Sequence, residues 1–124
     1  MKTSPTQRSL KLLRAAGNLV AITEHWNQFA HLRQDLFGFG DLIWCNPKTH
    51  SIGLVQTTSG SNQAARLTKI IGIPAARTWL ESGGRIEVHG WRKAGARGER
   101  KLWCCNVREV TLADLPVEEF ALTS

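Results

Sequence analysis

The sequence predicts an α/β (α+β) domain in which a central mixed β-sheet of about five strands is flanked by helices, in the order α-β-β-β-α-α-β-β. Three observations carry that prediction. Residues 41–45 and 51–58 are runs rich in Ile, Val, Leu and Trp joined by Asn46-Pro47-Lys48-Thr49, which reads as a hairpin closed by a turn. Residues 63–71 and 74–80 then carry apolar positions at helical spacing. Beyond them, residues 85–91 and 101–108 alternate as strands do. With 124 residues the chain is a single domain, 1–124, long enough for one core and too short for two.

Taken in order, residues 1–5 form a loose lead. Thr6-Gln7-Arg8-Ser9 opens a helix running to about residue 16, with Leu10, Leu13 and Ala16 spaced for one buried face and Gly17 as its stop. Arg8, Lys11 and Arg14 take its solvated face. Residues 18–26 read as the first strand, closed by Glu24. Residues 27–34 show no clean period and read as a mobile loop carrying His31 and Arg33. It leads past Asp35 to Phe37-Gly38-Phe39-Gly40, whose glycines make a tight approach to Asp41. Phe37 and Phe39 either pack beneath the hairpin or present a ring to a base, and packing is the better reading for at least one.

After the hairpin, Ser59-Gly60-Ser61-Asn62 ends the strand and caps the helix over 63–71. Ala64, Leu67 and Ile71 make its apolar stripe, and Asn62, Arg66 and Lys69 a polar one. Gly72-Ile73-Pro74 breaks it, Pro74 starts the next helix, and Glu81-Ser82-Gly83-Gly84 stops that one. Residues 92–101 are glycine-rich, basic and too poor in apolar surface to pack, so they read as an exposed, flexible hairpin loop. There Arg92, Lys93, Arg97, Arg100 and Lys101 suit phosphate contacts, with Trp91 and Trp103 beside them able to stack on bases. Such loops are often merely solvated, but the overall positive charge favours a nucleic-acid contact here. The chain from Thr111, with Asp114, Glu118 and Glu119, reads as an acidic tail that frays, loose over about 112–124.

Charge narrows the partners. A formal net charge of +6 and a pI near 9.8 favour polyanions such as nucleic acid, although the same charge also serves solubility. No apolar run reaches membrane-spanning length, and residues 1–5 lack the apolar core of a signal peptide, which predicts a cytoplasmic protein. Cys45, Cys104 and Cys105 form no C-x-x-C pair, and His25, His31, His50 and His89 lie singly, so neither a disulfide framework nor a zinc site is expected. The cysteines fall in strands and read as small buried hydrophobes.

The hairpin carries the chemistry. If it is symmetric about its turn, Asp41 faces Gln56, because the sum of paired residue numbers is constant along an antiparallel ladder. Alternation then places Asp41, Ile43 and Cys45 on one face with Ile52, Leu54, Gln56 and Thr58. An acid, an amide and a hydroxyl gather at the open end of an otherwise apolar face, and buried polar groups are costly without a partner. Gly40-Asp41-Leu42-Ile43 followed by Gly53-Leu54-Val55-Gln56-Thr57-Thr58 resembles the PD-(D/E)xK nucleases, in particular their resolvase-like branch, in which an Asp begins one strand and Glu-x-Lys lies on the next. Here Gln56 stands for the Glu and Thr58 for the Lys.

The resemblance implies a restriction-endonuclease-like fold and a Mg²⁺ (or Mn²⁺) site acting on DNA, duplex or branched, in a homodimer. It implies Asp41 and Gln56 as metal ligands, with Glu24 or Asp35 supplying a second acid; Glu24 as an exposed strand-end carboxylate is the alternative. Asp41, Gln56, Thr58 and Lys69 become the catalytic candidates, Lys69 or Arg66 replacing the missing lysine's charge. The plainer reading of Arg66 and Lys69 is a solvated basic face or phosphate contacts without chemistry. Two functions follow: a Mg²⁺-dependent endonuclease-like phosphodiesterase with a variant site, or a nuclease-fold DNA-binding module that has lost catalysis. A small structural protein whose basic loop binds nothing specific is the third.

Overall fold

The computed structural model describes residues 3–117. The first helix, α1 (Pro5–Ala15), begins behind Ser4, whose hydroxyl accepts from the Gln7 N–H at 3.1 Å, and Pro5 fills the first turn, where its missing N–H costs nothing. Then come β1 (Leu19–Ile22), a short ribbon of β2 (His25–Asn27) and β3 (Leu32–Gln34), and the hairpin β4 (Leu42–Cys45) and β5 (Ile52–Ser59). A 3-10 turn (Gly60–Asn62) leads into α2 (Gln63–Ile71), followed by α3 (Pro74–Glu81), β6 (Arg85–Ala94) and β7 (Leu102–Val110). The main sheet runs β1-β4-β5-β6-β7. β5 and β6 are parallel, because the α2–α3 crossover returns the chain to the same end of the sheet, and the other pairs are antiparallel. The expected five-stranded mixed sheet with flanking helices is therefore present, and among the described residues no helix is long and apolar enough to cross a membrane.

Strand alternation divides the apolar side chains between the two faces of the sheet. On one face Leu42, Trp44 and Val55 meet Leu10 and Leu13 of α1, together with Val20. On the other, Leu54, Ile86, Val88 and Val110 meet Phe39, Ile70 of α2 and Ala76 of α3. Burial of this apolar surface is the main force holding the helices to the sheet.

Several expectations need correction. Residues 18–26 are not one strand: β1 stops at Ile22, where Thr23 N–H and Oγ1 turn to the carbonyls of Asp41 and Gly40 (2.9 and 2.8 Å). The expected loop at 27–34 forms most of a ribbon, with His25 paired to Gln34 and Asn27 to Leu32. Its residues are too few for a periodic signal to show. In α1, Ala16 is exposed, and Thr6 and Ser9 join Leu10 and Leu13 on the buried face. In α2 the buried positions are Gln63 and Ile70, with Leu67 half-buried and Ala64 exposed; the stripe is rotated because Gln63 is drawn inward by hydrogen bonds to Val88 and Asn106. β6 continues to Ala94, so Arg92 and Lys93 lie on a strand opposite Cys104 and Trp103 and the loop begins later. Cys104 is exposed, with Cys45 and Cys105 half-buried. The stretch after Thr111 does not simply fray. It forms a 3-10 turn (Leu112–Asp114) capped by the Asp114 carboxylate on the Thr111 N–H, and Leu115 enters the core; Glu118 and Glu119 lie outside the described residues.

Candidate metal centre

The hairpin register matches the expected symmetry. Leu42 pairs with Val55 and Cys45 with Ile52, so the constant sum places Asp41 opposite Gln56, one step beyond the end of β4. Asp41 N–H still donates to the Val55 carbonyl at 2.9 Å. Just before it, residues 36–40 make a tight loop closed by the Leu36–Gly40 bridge, with Phe37 and Gly38 at positive φ. A side chain on Gly40 would crowd Leu54 at 3.1 Å and the Leu36 carbonyl at 3.2 Å, so glycine lets the loop lie flat on the sheet. Phe39 is fully buried there, whereas Phe37 is exposed beside the Trp79 ring.

That loop and the β1 exit bring three acids together. Carboxylate oxygens of Glu24, Asp35 and Asp41 lie within 4.8 Å of one another. They line a depression of about 210 Å³ with Thr6, Gln56, Thr57 and Arg66. Glu24 is half-buried and carries Arg33 at 3.3 Å, so it is not the free strand-end carboxylate that the alternative supposed. Gln56, only 2% exposed, donates from Nε2 to Asp35 Oδ2 at 3.2 Å, and its buried Oε1 accepts nothing. An unmatched acceptor in a buried amide is costly unless something electropositive meets it.

Asp41 is strongly perturbed. Its Oδ2 accepts from the Thr57 N–H at 2.7 Å and from Thr57 Oγ1 at 3.2 Å, and Thr6 Oγ1 lies 2.8 Å from Thr57 Oγ1. Since Thr57 gives its one hydroxyl proton to Asp41, Thr6 donates to Thr57, and the first turn of α1 is tied to the acids. Burial foremost, then the hydrogen-bonded Asp35 carboxyl and the negative charges of Asp35 and Glu24, push the Asp41 carboxyl from 3.8 up to about 7, against the lowering effect of the Thr57 N–H.

The remaining candidates separate. Thr58 is buried and is not among the residues lining the depression; Thr57 takes the place expected of it, because Asp41, lying past the strand end, reaches the backbone and hydroxyl of the next residue. Arg66 lines the acid site, while Lys69 lines a neighbouring depression that shares Asp35. Arg92, Lys93, Arg97, Arg100 and Lys101 lie at the far end of β6 and in the loop after it, and none of them lines the acid site. Arg8 of α1 stacks 3.8 Å over the Trp103 ring, with the Lys93 ammonium 5.4 Å from it. Thr6 and Thr57 were missed; the only hint was that Thr57 follows Gln56 directly, where strand alternation argued against it. Compared with protein-family models, with curated proteins and with solved structures, the chain matches none.

Proposed function

We propose that this chain is a metal-dependent DNA phosphodiesterase of the PD-(D/E)xK type with a restriction-endonuclease-like sheet. Asp41, Glu24, Asp35 and Gln56 would be the donor set for Mg²⁺ or Mn²⁺. The observation that carries the reading is the convergence of three carboxylates, within 4.8 Å of one another, beside the unpartnered buried oxygen of Gln56. Hard oxygen donors of this kind suit those cations, and the set holds no imidazole or thiolate that would favour zinc. Bound there, the cation would supply an activated water and stabilise charge on a phosphate.

The chain's own residues supply the rest. Thr57 holds the Asp41 carboxylate in one orientation, and Thr6 holds Thr57. The Gln56 amide orients Asp35 through Nε2. Arg66, at the edge of the same depression, places a permanent cation where the family lysine is missing. The exposed basic residues of the β6–β7 end add sequence-independent attraction for a polyanion. A DNA-binding module without catalysis is the second reading, favoured by the absence of any lysine lining the acid site and by the Arg33 and Gln56 contacts that already engage Glu24 and Asp35.

Calorimetric titration with Mn²⁺ and Mg²⁺, on the native protein and on Asp41→Ala, followed by a cleavage assay of duplex and single-stranded DNA on the same samples, separates the two. The proposal expects binding and metal-dependent cleavage in the native protein and neither in the variant. Salt-sensitive DNA binding that ignores Mg²⁺, with no cleavage, would leave the module.

A further inference from the structure

The β2–β3 ribbon departs from the acid site and returns to it: Glu24 precedes its first residue and Asp35 follows its last. At its tip Phe29 is 96% exposed, and Trp26 on β2 is 56% exposed. Neither belongs to either hydrophobic cluster, so the fold gains nothing visible from them. Yet the tip is held firmly. Asn27 Oδ1 accepts from the Phe29 and Ala30 N–H groups at 2.9 and 3.0 Å, and Asn27 Nδ2 donates to Gln34 Oε1 at 3.1 Å. Arg33 pins the base of the ribbon to Glu24 at 3.3 Å. A turn locked by its own hydrogen bonds presents the Phe29 ring to solvent by construction.

Beside the ribbon runs a depression of about 460 Å³ whose walls include His25, Arg33 and Lys69, and which meets the acid site at Asp35. Arg33 and Lys69 give the groove two cations against the single acid Asp35, and aromatic rings crown the ribbon, which is the division of labour by which proteins grip a backbone and stack on bases. The same charge makes the groove a poor seat for an apolar protein partner. With three residues per strand, rising about 3.3 Å each, the tip stands roughly 10 Å from the acids.

From this, and resting on the phosphodiesterase reading above, we infer that the ribbon is a stacking wedge: Phe29 and Trp26 insert against the bases of a DNA strand whose phosphates lie in the His25–Arg33–Lys69 groove. The wedge opens a base step a few nucleotides from the phosphate delivered to the acid site. DNA that is already unpaired or mispaired there is then the preferred substrate, because less unstacking has to be done.

The test uses duplex DNA carrying 2-aminopurine, whose fluorescence rises when it unstacks, with Ca²⁺ replacing Mg²⁺. The native protein raises the fluorescence, and more weakly where the probe is moved away from the bound site. The double variant Trp26→Ala, Phe29→Ala binds the DNA roughly tenfold or more weakly and raises it no longer, while its Mn²⁺ titration stays native, which shows that it folds. DNA bound tightly with no fluorescence change overturns the wedge and leaves the metal site standing. So does a native dimer in sedimentation that the double variant turns into a monomer, since the rings would then be covered by a second copy. Absence of Mn²⁺ binding in the native protein overturns the phosphodiesterase reading, and absence of DNA binding overturns both.

Discussion

Gln56 and Gln63 are both buried glutamines, and only one of them is fully partnered. Gln63 Nε2 donates to the carbonyls of Val88 and Asn106, and its Oε1 accepts from Asn106 Nδ2 at 2.8 Å. Gln56 makes one bond, to Asp35, and leaves its oxygen bare. The same contrast holds for the buried polar clusters as wholes. On the α1 face Ser9 Oγ sits 2.8 Å from His89 Nδ1 and accepts from Trp91 Nε1 at 2.8 Å, and His89 Nε2 faces Glu87 at 3.7 Å. The indole N–H donates only, so Ser9 Oγ accepts from it; the imidazole proton is assigned to Nε2 because the Glu87 carboxylate lies on that side, which leaves Nδ1 to accept the Ser9 proton. That cluster joins opposite partners, its looser ends being the Nε2 contact and the Trp44 N–H, which reaches no hydrogen-bond acceptor but lies near enough to favour the Glu87 charge. The acid cluster joins like charges. Opposite partners stabilise one another when buried, whereas like charges held together stay costly until a proton or a counter-charge relieves them.

The most forceful way to break this comparison is to remove one charge from each cluster. Asp41→Asn keeps the shape, and it should cut metal-dependent cleavage by about a thousandfold or more, as loss of several kcal/mol of electrostatic assistance does. It should leave the metal-free protein as stable as before or more so, because it relieves repulsion among three acids. Glu87→Gln should do the reverse, lowering the melting temperature and leaving cleavage per folded molecule unchanged. If both variants lose stability alike, the acid cluster is structural after all.

Acid and base sharpen the same point, because the two carboxyls are shifted in opposite directions. Asp41 is raised to about 7, mainly by burial, so the folded state keeps a proton that the unfolded chain releases near 3.8. Its contribution to stability is complete below about pH 4 and is lost as pH rises through about 7. Glu87 is lowered from 4.5, first by His89, against its burial, so its contribution is present above about pH 4.5 and is lost as pH falls below that. Metal-free native protein should therefore lose a few kcal/mol of stability between pH 4 and 7 relative to Asp41→Asn, read by urea denaturation at each pH. Saturating Mg²⁺ should remove much of that loss, since the cation favours the ionised form.

The Ser9 and Gln63 networks should answer differently. Ser9→Ala strips the partner from both the Trp91 and the His89 nitrogens, and Gln63→Met strips it from Asn106. Each should cost about 1–3 kcal/mol in denaturation, the usual result of orphaning buried polar groups, with Mn²⁺ affinity unchanged. Gln56→Met should cost less stability and weaken Mn²⁺ binding by roughly tenfold, a size typical of groups that orient or assist a metal ligand.

How much of this was legible follows from the physics of each signal. The hairpin register came from a symmetric turn and a constant pairing sum, and both survive in the structure, as do the bounds of α2. Asp41, Gln56, Glu24 and Asp35 could be nominated from residue type and position, but their meeting depends on the Thr23–Asp41 and Leu36–Gly40 backbone bonds, which no local pattern announces. The ribbon was unreadable because three-residue strands hold less than two alternations, and the turn that locks Phe29 outward is made by the side chain of Asn27. His89 reads in the sequence as one more alternating strand residue, and its partner Ser9 lies 80 positions away. Thr57 in place of Thr58 is a failure of alternation at a strand end, where a side chain is free to reach past its own face.

The smallest effect, and the one that decides whether a displaced cation assists the acids, belongs to Arg66. Arg66 lines the acid site one helical turn from Lys69, which lines the neighbouring groove. If Arg66 only adorns a solvated face, Arg66→Gln changes nothing beyond a slight fall in DNA affinity. If it stands in for the missing lysine, the variant binds Mn²⁺ as tightly as before or slightly more so, because a positive charge has left the acids' surroundings, and yet cleaves roughly tenfold more slowly at saturating metal and DNA, the lower end of what one electrostatic donor supplies. Arg66→Lys should recover part of the rate, since the charge returns without the planar fork. Lys69→Gln, the control on the same helix, should weaken DNA binding most at low salt, make its salt dependence shallower, and leave the rate at saturation intact. A rate loss in Lys69→Gln equal to that in Arg66→Gln would mean that the two cations act together on the phosphate and that the acid site extends along α2 into the ribbon groove.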